Sequence, residues 1–365
     1  MKVKNNYNNC LTNLACSIRK YFDLDYKHNT LKEIDEILTN TKPKNVVLFL
    51  LDGMGTNILK RTLDDKSFFI KNQKKSLTSV FPATTTAATT SVRTGLNPVE
   101  HGWLGWNMYL KPIDKVVTLY MNKEKQTNNP INTNDYLNFK SISEEIREKG
   151  KYNALELFPF PTGTVEVYKN FDELIEIVTA ETKKDQKKFI YAYNDEPDHT
   201  MHQLGPDSKE AKELLLERNN KIEKLSKEVK DTLIIVIADH GHIKVDNIFL
   251  QDYPEVYNML ERTTSLEQRA VSFKIKPEYY TQFPKIFNKY FKEWFTLYTK
   301  EEIINSQLFG DGKKHEYFED ALGDYLAIAE NSNKALLTPG DDELFSQHAG
   351  YTDDEIYIPL IVVSR

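Results

Sequence analysis

Four short apolar runs constrain this chain more than any other feature: NVVLFLL ending at Leu51, FIYAY ending at Tyr193, LIIVIA ending at Ala238, and YIPLIVV near the C-terminus. Each is apolar throughout instead of alternating, which is the pattern of a strand covered on both faces. Between the second and third runs, SKEAKELLLERNNKIEKLSKEVKD has helical periodicity and enough length for a right-handed crossover between parallel strands. The expected fold class is α/β, with a mostly parallel central sheet and helices on both faces. Residues 255–345 differ in texture, being rich in Tyr, Phe and Lys with helical stretches such as YYTQFPKIFNKYFKEWF, and are expected to form a smaller inserted cap. The expected division is an N-terminal helical segment at 1–42, an α/β core at 43–254 and 346–365, and the cap at 255–345.

An acid follows each of the first three runs: Asp52 after the first, Asp195 and Asp198 after the second, Asp239 after the third. In open α/β sheets ligands sit beyond the carboxyl ends of the strands, so these acids are expected to converge. Histidines stand beside them. EPDHTMH pairs Asp198 with His202, ADHGH pairs Asp239 with His240, and SQHAGY places His348 in a Gly-flanked turn before the last run. Three carboxylates and three imidazoles suit two catalytic metal ions with open positions, and mixed nitrogen and oxygen ligation fits zinc or manganese better than calcium or magnesium. An Asp after a strand is ordinarily a turn former and a lone His a hydrogen-bonded structural residue; the joint order and placement is what carries the metal reading.

The segment SVFPATTTAATTSVRTGLNPVEHGW supplies a hydroxyl. Thr84 to Val92 reads as a helix of small residues closed by Gly95, and a Thr at its start lies beside free backbone N–H groups, a natural phosphate site. Other classes are excluded. The net charge is −6, against a nucleic-acid platform that works by neutralising phosphates, and only eight of the 48 basic residues are Arg. DGMG lacks the third glycine of a dinucleotide fingerprint, Ile58 standing in its place. Cys10 and Cys16 are too few for a disulfide framework or a thiolate zinc site. The N-terminus has no unbroken apolar stretch, and the longest apolar run, Val46 to Leu51, is far short of the ~20 residues that cross a bilayer. The expectation is a cytoplasmic protein without membrane partners, its oligomeric state open.

DGMG, PATTTAATTSVRTGLNPVEHG, EPDHTMH, ADHGH and HAGY, in this order, resemble the alkaline phosphatase superfamily, most closely its type I phosphodiesterase/nucleotide pyrophosphatase branch. The motifs run from residue 52 to 351. The resemblance implies an alkaline phosphatase-like fold and a two-metal phosphoric ester hydrolase acting on a small phosphate ester or nucleotide through a phosphothreonine. Counting nine residues back from the Thr of Thr94–Gly95, with Pro82 three before it, places the implied nucleophile at Thr85, with Thr84 as fallback. It implies one metal held by Asp198, His202 and His348, and another held by Asp52, Asp239 and His240 with Thr85. The branch's phosphoryl-oxygen contact, an Asn, falls on Trp106 or Asn107.

Among rival readings, a sulfatase needs a Cys where Thr85 stands. A phosphomonoesterase or phosphomutase of the same superfamily, and an inactive metal-stabilised binding protein, are the alternatives. His242, His199, His101 and His315 are left without ligand roles, and Arg269 in SLEQRAVSF is weighed between a salt bridge and a contact to an anionic substrate.

Overall fold

The strand Asn45–Leu51 is the middle of a seven-stranded sheet in the computed structural model, which describes residues 4–365. It pairs in parallel with Lys188–Asn194 on one side and Thr232–Ile237 on the other, so three of the apolar runs lie side by side. All residues of these three strands are buried, as their continuous apolarity requires. Asn153–Phe158 and Glu166–Val167 extend the parallel arrangement. The fourth run, Tyr357–Ser364, enters antiparallel between Thr232–Ile237 and Gln73–Thr78. It starts just after the His348 turn, at the carboxyl end of its parallel neighbours, and can only run back.

The long crossover helix is Lys209–Glu228, its first turn capped by the Ser208 hydroxyl, which accepts from the Ala211 N–H at 3.2 Å. The N-terminal helices Leu11–Tyr21 and Lys32–Thr41 belong to the same apolar core as the sheet. Arg19 ties the first of them to the helix Thr85–Thr94 by donating to the Thr94 carbonyl at 2.9 Å.

A second seven-stranded sheet, antiparallel throughout, stands beside the first. Its order is Thr296–Thr299, Tyr325–Ile328, Ala270–Phe273, Ser265–Leu266, Asn107–Leu110, Lys115–Thr118, Lys123–Glu124. It therefore draws on residues 107–124 as well as on the segment expected to form a self-contained cap. The joint is a single pairing of Leu266 with Asn107. Strands of two to four residues bury too little to leave a periodic signal, which is why this contribution is silent in the sequence. The helix Phe283–Phe291 covers this sheet with Phe283, Phe287 and Phe291, all fully buried and spaced by one turn.

Candidate active site at the strand ends

Parallel pairing brings the three acidic turns together, and two glycines let them approach. Gly53 has φ +73, and a Cβ there would lie 2.7 Å from the Met201 side chain. A Cβ on Gly241 would lie 1.9 Å from the Asp354 carbonyl oxygen, so the ADHGH turn can pass the C-terminal segment only as glycine.

Thr85 opens the helix Thr85–Thr94, with Thr84 at the N-cap in extended conformation. The Thr85 hydroxyl donates to Asp52 Oδ2 at 3.2 Å and lies 3.3 Å from His240 Nε2. The Thr84 hydroxyl has no hydrogen-bond partner and caps nothing. Asp52 Oδ2 also accepts from the Tyr193 phenol at 2.5 Å. Asp239 Oδ1 accepts the backbone N–H groups of Gly53 and His240 at 3.1 and 3.0 Å. The remaining oxygens of these acids, Asp52 Oδ1 and Asp239 Oδ2, are buried without partners, 3.2 and 3.5 Å from His240 Nε2.

Asp198 forms the other half. Its Oδ2 lies 3.3 Å from His202 Nε2, and its Oδ1 lies 2.5 Å from His242 Nε2 and 4.0 Å from His240 Nε2. Asp198, His202, His242 and His348 offer ligand atoms within 4.8 Å of one another, and so do Asp52, Asp198 and His240. The structure thus brings together six of the predicted ligands and Thr85, and adds His242, which the sequence left without a role. The signal for it was present: it repeats the His240 side-chain type across one glycine.

These residues fit metal ions on the chemistry of their donors. In each ring Nδ1 faces an oxygen that can only accept: the carbonyls of Ser346 for His202, Ala83 for His348 and Gly241 for His240, at 2.8, 3.2 and 3.1 Å. His242 Nδ1 faces the Ser346 hydroxyl at 2.9 Å, whose single hydrogen is donated to the Met201 carbonyl. The hydrogen of each neutral ring is therefore held at Nδ1, the arrangement of metal-ligating histidines, and four bare Nε2 atoms converge with carboxylate lone pairs. Lone pairs facing lone pairs in a buried site call for cations.

Burial, and then the Asp198 charge, push Asp52 well above the usual carboxylate range. Burial and then Asp52 do the same to Asp239. Burial pushes the His242 imidazolium down to about 4 and lowers His348 well below the usual imidazole range, neighbouring histidines adding to the effect. Burial opposes charge on His202 too, but Asp198 beside it outweighs this and lifts it to about 9.

Asn107 is placed elsewhere. Its amide oxygen accepts from the Thr118 hydroxyl at 2.7 Å and its nitrogen points to Asp341 Oδ1 at 3.4 Å. Its side-chain amide is engaged by Thr118 and Asp341, and none of its hydrogen bonds reaches Thr85 or the acid and imidazole cluster. Arg269 is spent in a fully buried ion pair with Glu355, 2.6 and 2.9 Å for its two hydrogen bonds, which excludes the substrate contact weighed for it. His101 is turned to Ser91 and the Trp103 amide, and His199 to Gln203. Glu267, just past the Ser265–Leu266 strand, accepts the Trp106 N–H on its Oε1 at 2.6 Å. Burial pushes its carboxyl up to about 7, against the Trp106 amide, which holds the charged form.

None of the curated proteins compared with the chain matches it. Solved structures do share its fold. Human ectonucleotide pyrophosphatase/phosphodiesterase 5 superposes with a TM-score of 0.67 at 18% identity, covering 87% of each chain. The murine protein does so with 0.66 at 19% identity over 88% of each chain, and its inactive form in complex with AMP with 0.66 at 19% over 87%. The family model for type I phosphodiesterase/nucleotide pyrophosphatase matches residues 46–352, the stretch that holds every acid, imidazole and hydroxyl of the site, and the chain belongs to that family.

Proposed function

We propose that this phosphoric ester hydrolase cleaves small phosphodiesters, nucleotides among them, with Thr85 as its nucleophile. The observation that carries the assignment is the Thr85 hydroxyl at a helix N-terminus, 3.2 Å from Asp52 and 3.3 Å from His240, while the neighbouring Thr84 hydroxyl faces neither. Thr85 Oγ1 attacks phosphorus, the bond to the departing alkoxide breaks, and a phosphothreonine ester results; water then breaks the Thr85 O–P bond, releasing a phosphomonoester and restoring the hydroxyl. Asp52 Oδ2 accepts the Thr85 hydrogen in the resting site and so fixes the direction of the lone pair that attacks. The free N–H groups of the first helical turn add partial positive charge where the phosphoryl oxygens lie. Two divalent ions, held by Asp198, His202 and His348 and by Asp52, Asp239, His240 and Thr85, would supply Lewis-acid stabilisation of phosphoryl charge when bound. The nitrogen-rich first set favours zinc, with manganese as the alternative.

The AMP bound by the murine structural neighbour supports a nucleotide-sized substrate. Two buried free thiols, Cys10 and Cys16, support a reducing, cytoplasmic setting. No described helix is long and apolar enough to cross a membrane. The test is turnover of metal-loaded protein on bis(4-nitrophenyl) phosphate, dinucleotides, 4-nitrophenyl phosphate and sulfate esters. Diester cleavage with the phosphoryl group and its remaining ester trapped on Thr85 in an acid quench supports the reading; sulfate-ester cleavage as the dominant activity refutes it.

A further inference from the structure

Asp52 is joined to the neighbouring strand twice. Its backbone N–H donates to the Asn194 carbonyl at 2.9 Å, and its Oδ2 accepts the phenol of Tyr193, one residue back, at 2.5 Å. Register explains the second contact. Leu50 pairs with Tyr193 in the parallel ladder, so the two side chains take one face, and Asp52, two residues past Leu50, continues on that face. Tyr193 is 3% exposed, and Asp52 is the one hydrogen-bond partner of its phenol among the described residues. The ring is held in place. Its centroid lies 5.0 Å from that of Phe158 and 6.0 Å from that of Phe160, and the Tyr193 carbonyl accepts the Tyr168 phenol at 2.8 Å.

The last torsion of an Asp side chain is broad and roughly two-fold, so nothing intrinsic to Asp52 decides which oxygen faces the site. Here the two oxygens differ. Oδ2 accepts from both Tyr193 and Thr85, whereas Oδ1 is buried, has no partner and lies 3.2 Å from His240 Nε2. The Thr85 contact, at 3.2 Å, is longer than the usual O–H···O distance of about 2.5–3.0 Å, and the phenol's is at the short end of it. The phenol is therefore the stronger of the two holds on the carboxylate. A rigid donor on a packed ring sets the rotation of Asp52, and with it both the acceptor of the Thr85 hydrogen and the lone pairs left free beside His240.

We propose that Tyr193 is a positioning residue: its phenol holds Asp52 Oδ2 in place for the Thr85 hydroxyl and so leaves Oδ1 to the ion that Asp239 and His240 would share. The inference rests on the two-ion reading of the site with Thr85 as nucleophile. Its test is zinc binding to chelator-stripped protein, followed by competition against a chromogenic chelator. Tyr193→Phe keeps the packed ring and removes the donor; one of the two zinc-binding steps is expected to weaken about 10–100-fold while the other keeps its wild-type affinity. At saturating zinc its kcat for bis(4-nitrophenyl) phosphate is expected to fall with KM unchanged. Tyr193→Leu provides a second phenol-free variant should the Phe protein not fold. Tyr168→Phe is the control, since it removes a buried phenol bonded to the Tyr193 backbone, away from Asp52, and is expected to leave both zinc steps as they are. Zinc binding unchanged in the phenol-free variants, whatever the rates do, would overturn the inference. So would a loss shared equally by both steps, or one that Tyr168→Phe reproduces, because the phenol would then only support the core. A wild-type protein that takes up no zinc overturns the metal reading itself, a separate and recognisable outcome.

Discussion

His242 Nε2 lies 2.5 Å from Asp198 Oδ1, with the ring hydrogen directed the other way to the Ser346 hydroxyl. Ser346 also receives the His202 ring on its backbone carbonyl, so one residue orients two imidazoles toward one carboxylate. His242→Asn should weaken metal at the Asp198 cluster by about 10–100-fold, the usual effect of losing a residue that orients or supplements metal ligands. Competition against a chromogenic chelator reads this directly, apart from turnover. An unchanged affinity would mean that His242 merely fills space.

Chelation should remove activity and lower the melting temperature together. With the ions gone, Asp52 Oδ1 and Asp239 Oδ2 stay buried and unpaired, and the acids carry like charges at close range. A metal present at 100 times its Kd stabilises the fold by about 2.7 kcal/mol by mass action. Calorimetry with and without a chelator, beside elemental analysis expected to find two ions per chain, checks both. Equal melting temperatures would contradict the site.

Thr85→Ala should lower turnover by several orders of magnitude while leaving metal content normal, as nucleophile loss does elsewhere. Thr84→Ala should retain most activity and cost less than the ~1 kcal/mol of a capping side chain, because the Thr84 hydroxyl caps nothing. Peptide mapping of acid-trapped phosphate decides between the two residues independently. Phosphate on Thr84 would reverse the assignment.

Glu355 offers a pH test of stability. Burial alone would raise its carboxyl, but Arg269 outweighs burial and holds it below the ordinary value. A carboxyl depressed on folding contributes stability that is fully present above the unfolded pKa, about 4.3, and is lost as pH falls through the lower folded value. Glu355→Gln should therefore flatten the acid limb of the stability curve below about pH 5, while at neutral pH it costs about 3–5 kcal/mol by leaving Arg269 buried without its partner. Urea melts across pH 3–7 measure both effects; an acid limb as steep as the wild type's would remove the pair from the account.

Legibility in the sequence followed from periodicity. Asp52, Asp198 and Asp239 could be located because the runs before them are long enough to declare parallel strands, and parallel strands place their carboxyl ends on one edge. His348 was legible from its glycine-flanked turn. The face taken by Asn107 was not legible, because one residue of register decides which side a strand residue takes and NMYL is too short to show its alternation. Tyr193 was hidden for another reason: it reads simply as the last apolar residue of a core strand, yet its phenol is bonded to Asp52.

The pairing of Leu266 with Asn107 bears on how such proteins can be re-engineered. A loop-borne cap that enters and leaves a core at one place can be exchanged as a cassette. Here the segment after the helix Thr85–Thr94 contributes Asn107–Leu110, Lys115–Thr118 and Lys123–Glu124 to the sheet that residues 265–328 complete. Transplanting 255–345 alone would strand an open sheet edge on the donor piece and another on the recipient, both prone to aggregation. A chimaera has to carry both stretches, which the hydrogen bond from the Trp106 N–H to Glu267 also joins.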